Sequence, residues 1–176
     1  MNLIDVINQY EARYPGDRSP RPYICLLYGL ALGIEAKLIY EVGVSAGMST
    51  HALLCAVEKT GGKMVSCDIV DYDNAVVDPE LRKHWQFLHM TSVEMAATNR
   101  AQADLIYIDG GHEYDSVFYD QRLFWPLLRR NGLMVFHDWK SVPSGPGRVC
   151  LDMSKHGMEI VLIPTLHGIA IARKRE

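Results

Sequence analysis

The sequence has no paired cysteines to staple it together. Cys25, Cys55, Cys67 and Cys150 are scattered without a C-x-x-C spacing, which argues against a zinc ribbon or a disulfide scaffold. Three of them lie inside apolar runs, where a thiol acts as a small hydrophobe, so reduced core cysteines in a cytoplasmic protein are expected. A basic excess is also missing. The 18 Lys and Arg are outnumbered by 21 Asp and Glu, for a net charge of -3, so no nucleic-acid partner is expected. Arg173-Lys174-Arg175 reads as a solvated basic tail. The most apolar stretch, Tyr23 to Ile34, is too short to cross a bilayer and is followed by Glu35 and Lys37, so it reads as a buried helix with no membrane role. Met1 to Asp5 shows neither the basic nor the apolar region of a signal peptide. Repeats and low-complexity tracts are absent.

What is there is an ordinary globular composition: 176 residues, 48% hydrophobic and 22% charged. One domain over 1–176 is expected, able to bury most of its apolar surface. Residues 1–36 read as a short helical segment. Leu3, Val6, Ile7 and Tyr10 stand at helical spacing before Pro15-Gly16, and a polar loop, Asp17 to Pro22, precedes a second helix from Tyr23 to Glu35. From Lys37 the rhythm alternates. Short apolar strands are expected at 37–42, 63–69, 85–90, 104–108 and 133–136, with helices at 49–59, 93–100 and 114–129 between them. Pro126 should kink or end the last of these helices, and Asn131-Gly132 reads as its stop. Between 71 and 83 the chain is polar. Ser141 to Gly147 reads as a loop, followed by a helix over 148–155. Two closely spaced strands, 158–164 and 169–173, predict an antiparallel pair at one edge. The pattern is an α/β fold, a Rossmann-like, mostly parallel sheet with helices on both faces.

In such sheets ligands sit at the carboxyl ends of the strands, where the strand order reverses. Read together, these ends carry Glu41-Val42-Gly43, Asp68, Thr91-Ser92, Asp109 and His137-Asp138. One acidic strand end is common, and four at successive strands point to a binding site. The turn Glu41-x-Gly43-x-x-x-Gly47-x-Ser49 lacks the G-x-G-x-x-G of pyrophosphate-binding turns. Its glycines allow close backbone approach, and its acid suits a cationic ligand better than a phosphate. Asp68 is placed either to hold ribose hydroxyls or to close an Asx turn. Thr91-Ser92 can touch a base edge or cap a helix.

The turn resembles motif I of class I methyltransferases. The stretch Ile108-Asp109-Gly110-Gly111-His112-Glu113-Tyr114-x-x-Val117-x-x-Asp120, followed by Leu127 to Asp138, resembles the methyltransferase family that includes macrocin-type sugar O-methyltransferases and cephalosporin-hydroxylase-like proteins. It is similar, more distantly, to catechol O-methyltransferases. The resemblance covers roughly Leu38 to Asp138. It implies a seven-stranded sheet with a reversed final hairpin, S-adenosylmethionine as cofactor, and methyl transfer to a hydroxyl of a small molecule such as a sugar or natural product.

Carried over, Glu41, Gly43, Gly47, Ser49, Asp68, Ser92 and Asp109 would contact the cofactor. Asp109 and Asp138, with His137 beside them, would hold Mg²⁺ or another divalent cation. Relatives often have an acid or amide where His137 stands, and an imidazole suits Mn²⁺, Fe²⁺ or Zn²⁺ better than Mg²⁺. His112 would be the general base, with Asp109 in the same catalytic loop. The plainer alternative for His112 is a helix cap. Two places are open for Asp120: orienting His112, or facing solvent. His51, His84, His89, His156 and His167 have no recognisable partners. Trp85 and Trp125 read as packing residues, and Trp139 could line a substrate pocket. With so little chain before the first strand, a homodimer could supply the substrate-covering lid. Two rival readings are a nicotinamide-dependent oxidoreductase, which the missing G-x-G-x-x-G opposes, and a catalytically silent binding module.

Overall fold

The computed structural model describes residues 3–13, 16, 20–71, 77–140 and 145–175. The expected stop at Pro15, the residues 17–19 of the first loop, and residues 141–144 of the loop after the fifth strand lie outside them, as do the side chains of Val6 and Tyr10. The elements run α1 (Leu3–Arg13), α2 (Pro20–Gly33), β1 (Leu38–Val42), α3 (Met48–Thr60), β2 (Lys63–Asp68), β3 (Trp85–His89), α4 (Ser92–Thr98), β4 (Ala103–Ile108), α5 (Tyr114–Phe124), β5 (Leu128–His137), α6 (Pro146–Lys155), β6 (Glu159–Ile163) and β7 (Ile169–Arg173). A 3₁₀ helix, Pro79–His84, precedes β3.

Seven strands form one sheet in the order β3-β2-β1-β4-β5-β7-β6. Strands β1 to β5 pair in parallel, and β7 runs antiparallel between β5 and β6. Side chains alternate between two cores, because successive residues of a strand point to opposite faces. Tyr40, Val42, Ile106, Ile108 and Phe136 meet Met95, Val117, Phe124 and Val149 of α4, α5 and α6. Ile39, Leu105, Tyr107 and Val135 meet Leu27, Leu53, Leu54 and Val57 of α2 and α3. Burial on both faces is why these strands read as unbroken apolar runs. No helix among the described residues is long and apolar enough to cross a membrane.

The structure corrects four expectations. Helix α5 ends at Phe124, and Leu128 already pairs with Ala103. Asn131-Gly132 therefore stops no helix. Asn131 has φ +61 and lies within β5, where the β4–β5 register shifts. The strand start is pinned from outside: Arg129 pairs with Asp104, whose carboxylate also accepts from the amides of Lys37 and Leu38 at 2.7 and 2.8 Å. The C-terminal basic run is no solvated tail. Lys174 Nζ donates to the carbonyls of Trp125 and Leu128 at 3.0 and 2.7 Å, and Arg175 pairs with Glu159 at 2.9 Å. Cys25 is exposed, whereas the other three cysteines are buried. The polar segment before β3 contains the 3₁₀ helix, capped by Asp78.

Candidate active site

The strand order reverses between β1 and β4, and the site forms there. β1 ends in Gly43 at φ +90; a Cβ on this residue would run into Asp109, with its carbonyl carbon at 2.6 Å and Gly110 N at 2.9 Å. The amide of Asp109 donates to Val42 O at 2.8 Å, and that of Gly43 to Cys67 O at 2.9 Å. Backbone thus meets backbone, and a cleft of about 700 Å³ opens over the strand ends. Gly43, Ser49, Asp68, Ser92, Asp109, His112, His137 and Asp138 all line it.

Glu41 and Gly47 do not line the cleft. Gly47 sits at φ +81 as the cap of α3, so its part is to turn the chain. Glu41 is 0% exposed and faces α3. Its carboxylate accepts from Ser49 Oγ at 2.7 Å, Thr50 Oγ1 at 2.8 Å and Ser66 Oγ at 2.7 Å. Ser66 in turn accepts from Trp85 Nε1 at 2.9 Å. The expectation that this acid meets a cationic ligand is corrected: it bolts α3 to β1 and β2. Burial, against these three hydroxyls, pushes its pKa up to about 7.

Asp68 supports both of its readings. Oδ1 accepts from Val70 N at 3.0 Å, as in an Asx turn, while Oδ2 takes Val44 N at 2.8 Å and Ser45 N at 3.2 Å. A carboxylate oxygen can accept two bonds, so Oδ1 still has capacity for a ligand hydroxyl. Thr91 is a helix cap, its side chain and that of Glu94 forming a capping box; Ser92 remains on the cleft wall.

The other half of the cleft gathers titratable groups. His137 Nδ1 lies 2.9 Å from Asp138 Oδ2 and 3.3 Å from Asp109 Oδ1. His112 Nε2 lies 3.0 Å from Asp138 Oδ2 but 3.9 Å from Asp109 Oδ1. The two distances make Asp138 the acid nearer the ring and Asp109 the farther. Both carboxylates, Asp109 foremost, raise the His112 pKa against the opposing pull of burial. Burial acts hardest on His137, yet Asp109 and Asp138 together push it up to about 9. Its Nε2 is buried with no hydrogen-bond partner among the described residues. Tyr23 of α2 packs edge-on to the His137 ring at 4.6 Å. Asp138 itself stands at φ +60, a left-handed conformation that costs a non-glycine residue about 1–2 kcal/mol and recurs at functional positions.

Three site residues were not foreseen. Tyr107, fully buried, donates to Asp109 Oδ2 at 2.9 Å. It stands two residues before Asp109, and the period of a strand puts both on one face; that signal was readable. His167 Nδ1 reaches within 3.6 Å of Asp138 Oδ1 from the β6–β7 turn. Tyr23 arrives from α2, and neither of these two positions carries a local sequence signal. Trp139 does not line the cleft; its Nε1 donates to Ile163 O at 3.2 Å, and the ring is packing. His51 is buried, with Asp78 N donating to its Nδ1 at 3.2 Å.

The profile of a family described as a methyltransferase domain matches residues 40–139, more than half of the chain, and the chain belongs to that family. An O-methyltransferase of Aspergillus hancockii is 27% identical over 126 residues, 68% of this chain. The chain spans about half (50%) of that relative's length. Among solved structures, a Bacillus cereus O-methyltransferase in complex with SAH superposes with a TM-score of 0.75 at 16% identity, covering 98% of this chain and 90% of the other. An SAH-bound Podospora anserina methyltransferase gives 0.74 at 17% identity, covering 99% and 88%. These two likenesses establish the fold, a Rossmann-like methyltransferase sheet.

Proposed function

We propose that the chain transfers a methyl group from S-adenosylmethionine to a hydroxyl of a small molecule, a sugar or natural product, with His112 as general base. One observation carries the reading: the imidazole of His112, 3.0 Å from Asp138, stands in the same cleft as the glycine turn and Asp68. The cleft has the volume of a typical small-molecule site. Gly43, which lacks room for a Cβ because the Asp109 backbone packs against it, brings the ends of β1 and β4 together where they line that cleft. The O-methyltransferase relative and the SAH-bound neighbours support the same reading.

Bound S-adenosylmethionine would supply an electrophilic methyl group on a sulfonium. The chain's own task is to bring an acceptor oxygen in line with it and to remove the proton, since a hydroxyl is a poor nucleophile until that proton leaves. With Nε2 facing Asp138 at 3.0 Å, Nδ1 of His112 is the nitrogen assigned to take the proton. Asp109, fixed by Tyr107, and Asp138 keep the imidazolium so formed from being an isolated charge.

Asp109, His137 and Asp138 each offer a ligand atom, all within 4.8 Å of one another. One imidazole with two carboxylates fits a divalent ion such as Mn²⁺, Fe²⁺ or Zn²⁺ better than Mg²⁺. An ion held there would polarise the acceptor hydroxyl and lower its pKa.

Isothermal titration with S-adenosylmethionine and S-adenosylhomocysteine, followed by a panel of sugar, phenolic and natural-product hydroxyls scored by S-adenosylhomocysteine release, tests the reading. Saturable binding and turnover with at least one acceptor are expected. No binding to either nucleoside sinks it. Tight binding with no product across the panel would favour a silent binding module.

A further inference from the structure

Asp138 lies against two imidazoles at once, and its own backbone has to be held in place. Its φ is +60, a conformation that a non-glycine residue keeps only where its surroundings fix it. Pairing between β5 and β7 runs out one residue earlier, at His137 and Ile169. The sheet therefore fixes the chain before Asp138, and whatever holds the kink must act from the residues after it.

The next residue is Trp139, which lies outside the cleft. Its Nε1 donates to the carbonyl of Ile163, the last residue of β6, at 3.2 Å. Its indole lies against Gly168 of the β6–β7 turn, at φ +87, where a Cβ would stand 2.5 Å from Nε1 and 2.6 Å from Cδ1. Lys140 ties into the same turn: its N donates to His167 O at 3.0 Å and its Nζ to Thr165 O at 3.3 Å. The turn is braced from within, by Gly168 N to Thr165 Oγ1 at 3.1 Å and Thr165 N to Ile163 O at 2.9 Å. The start of α6 closes on the same place. Gly147 lies against Trp139 O, and Gly145 lies against the carbonyl of His112, whose carbon would be 2.9 Å from a Cβ there.

We infer that Trp139 is the positioning residue of Asp138. Seated in the β6–β7 turn, the indole pins the chain one residue past the left-handed kink. Asp138 Oδ2 is thereby kept 3.0 Å from His112 Nε2 and 2.9 Å from His137 Nδ1. The turn that receives the indole also brings His167 Nδ1 to 3.6 Å from the other oxygen, Oδ1. Trp139 acts on the site only through Asp138, and the inference rests on the proposal above that Asp138 is a working acid of the cleft. A ring that merely packed would set stability alone, whereas a positioning ring must move Asp138 when it is disturbed.

The test compares variants of the whole chain. Gly168→Ala drives a Cβ into the indole, and Trp139→Phe keeps a ring but removes the donor to Ile163. Gly157→Ala is the control: its φ is +82, but nothing lies within 4 Å of its would-be Cβ. Asp138→Asn marks the signature of a disabled acid. In long-range proton–nitrogen spectra, the His112 and His137 ring signals of Gly168→Ala and Trp139→Phe should move toward their positions in Asp138→Asn. Calorimetric titration with Mn²⁺ should show an affinity about 10–100-fold lower in Gly168→Ala, the usual effect of disturbing the support behind a ligand. Affinity for S-adenosylhomocysteine should be unchanged in both variants, and Gly157→Ala should match wild type throughout. Trp139→Phe carries the test if Gly168→Ala fails to fold, and the spectra decide alone should wild type bind no Mn²⁺. Histidine signals in both variants that coincide with those of Gly157→Ala overturn the inference, whatever the melting points. Failure of wild type to bind S-adenosylhomocysteine overturns the methyl-donor reading instead, and the spectra still judge Trp139.

Discussion

Replacing Gly43 with alanine tests the close approach on which the cleft depends. Two costs can be worked out separately. An alanine at φ +90 carries about 1–2 kcal/mol of left-handed strain. The new Cβ also meets backbone, with Asp109 C at 2.6 Å and Gly110 N at 2.9 Å, and backbone has no rotamer to swing away. The β1 and β4 ends must part, and the bond from Asp109 N to Val42 O goes with them, at about 1 kcal/mol. A loss of roughly 2–3 kcal/mol is expected as a lower bound, a melting point lower by about 4–12 °C for a chain of this size. Gly61→Ala separates the two costs: its φ is +71, but nothing lies within 4 Å of its would-be Cβ. It should pay the strain alone and keep wild-type affinity for S-adenosylhomocysteine, whereas Gly43→Ala should lose at least about tenfold, worth about 1.4 kcal/mol. Circular-dichroism melts and titration calorimetry on the two variants decide the matter. A Gly43→Ala protein as stable as Gly61→Ala, with unchanged affinity, would refute the steric argument.

Tyr107→Phe removes the bond to Asp109 and should cost about 1.5–3 kcal/mol, since the acceptor is charged; a chemical melt within 0.5 kcal/mol of wild type, roughly the error of such work, would show that the bond carries no weight. Burial pushes Glu41 up to about 7, above its value of 4.5 in an exposed chain. Between these two values the folded state binds the extra proton, so this group's stabilising contribution is full below pH 4.5 and declines as pH rises toward 7, by about 3 kcal/mol in all. Glu41→Gln should flatten that part of the stability–pH curve, and an unchanged slope in the variant rules the assignment out. His112→Asn should cut turnover about 10²–10⁴-fold while S-adenosylhomocysteine affinity holds; equal loss in both would make His112 a binding residue. The donor set around His137 predicts that Mn²⁺ raises the melting point more than equimolar Mg²⁺, with about 2.7 kcal/mol expected at 100 times the dissociation constant; a larger shift with Mg²⁺ would contradict the imidazole's place among the ligands.

Much of the fold was legible because its strands are buried on both faces and its turns are punctuated by glycine. β7 was read to the residue, and β3 and β4 to within one. The Leu127–Leu133 stretch was misread for a physical reason. Local preference made Asn131-Gly132 a helix stop, but the carbonyls that a helix would have left open at Trp125 and Leu128 are taken by Lys174, some 46–49 residues away. A bond of that span leaves no local trace. The same holds for Tyr23 and His167, which reach the site from α2 and from the β6–β7 turn.

The site was legible as a set of residues but not as a division of labour. Glu41, Asp68, Asp109 and Asp138 look equivalent in sequence, each an acid at the end of an apolar strand. Their partners sort them. Glu41, one residue short of its strand end, points back into the α2–α3 core, where three hydroxyls occupy its oxygens. Asp68 spends one oxygen on the glycine turn and part of the other on its own. Asp109 and Asp138 lie against two imidazoles, His112 and His137, and Asp109 also accepts from the hydroxyl of Tyr107. The proposed proton transfer therefore falls beside the last two acids, since an imidazole can gain or lose a proton near neutral pH while hydroxyls and amides cannot. Asp120, open in sequence to orienting His112 or to facing solvent, is 4% exposed and lines the cleft from α5. Position along a strand predicts that an acid lies at the ligand; only the chemistry of its neighbours says which acid does what.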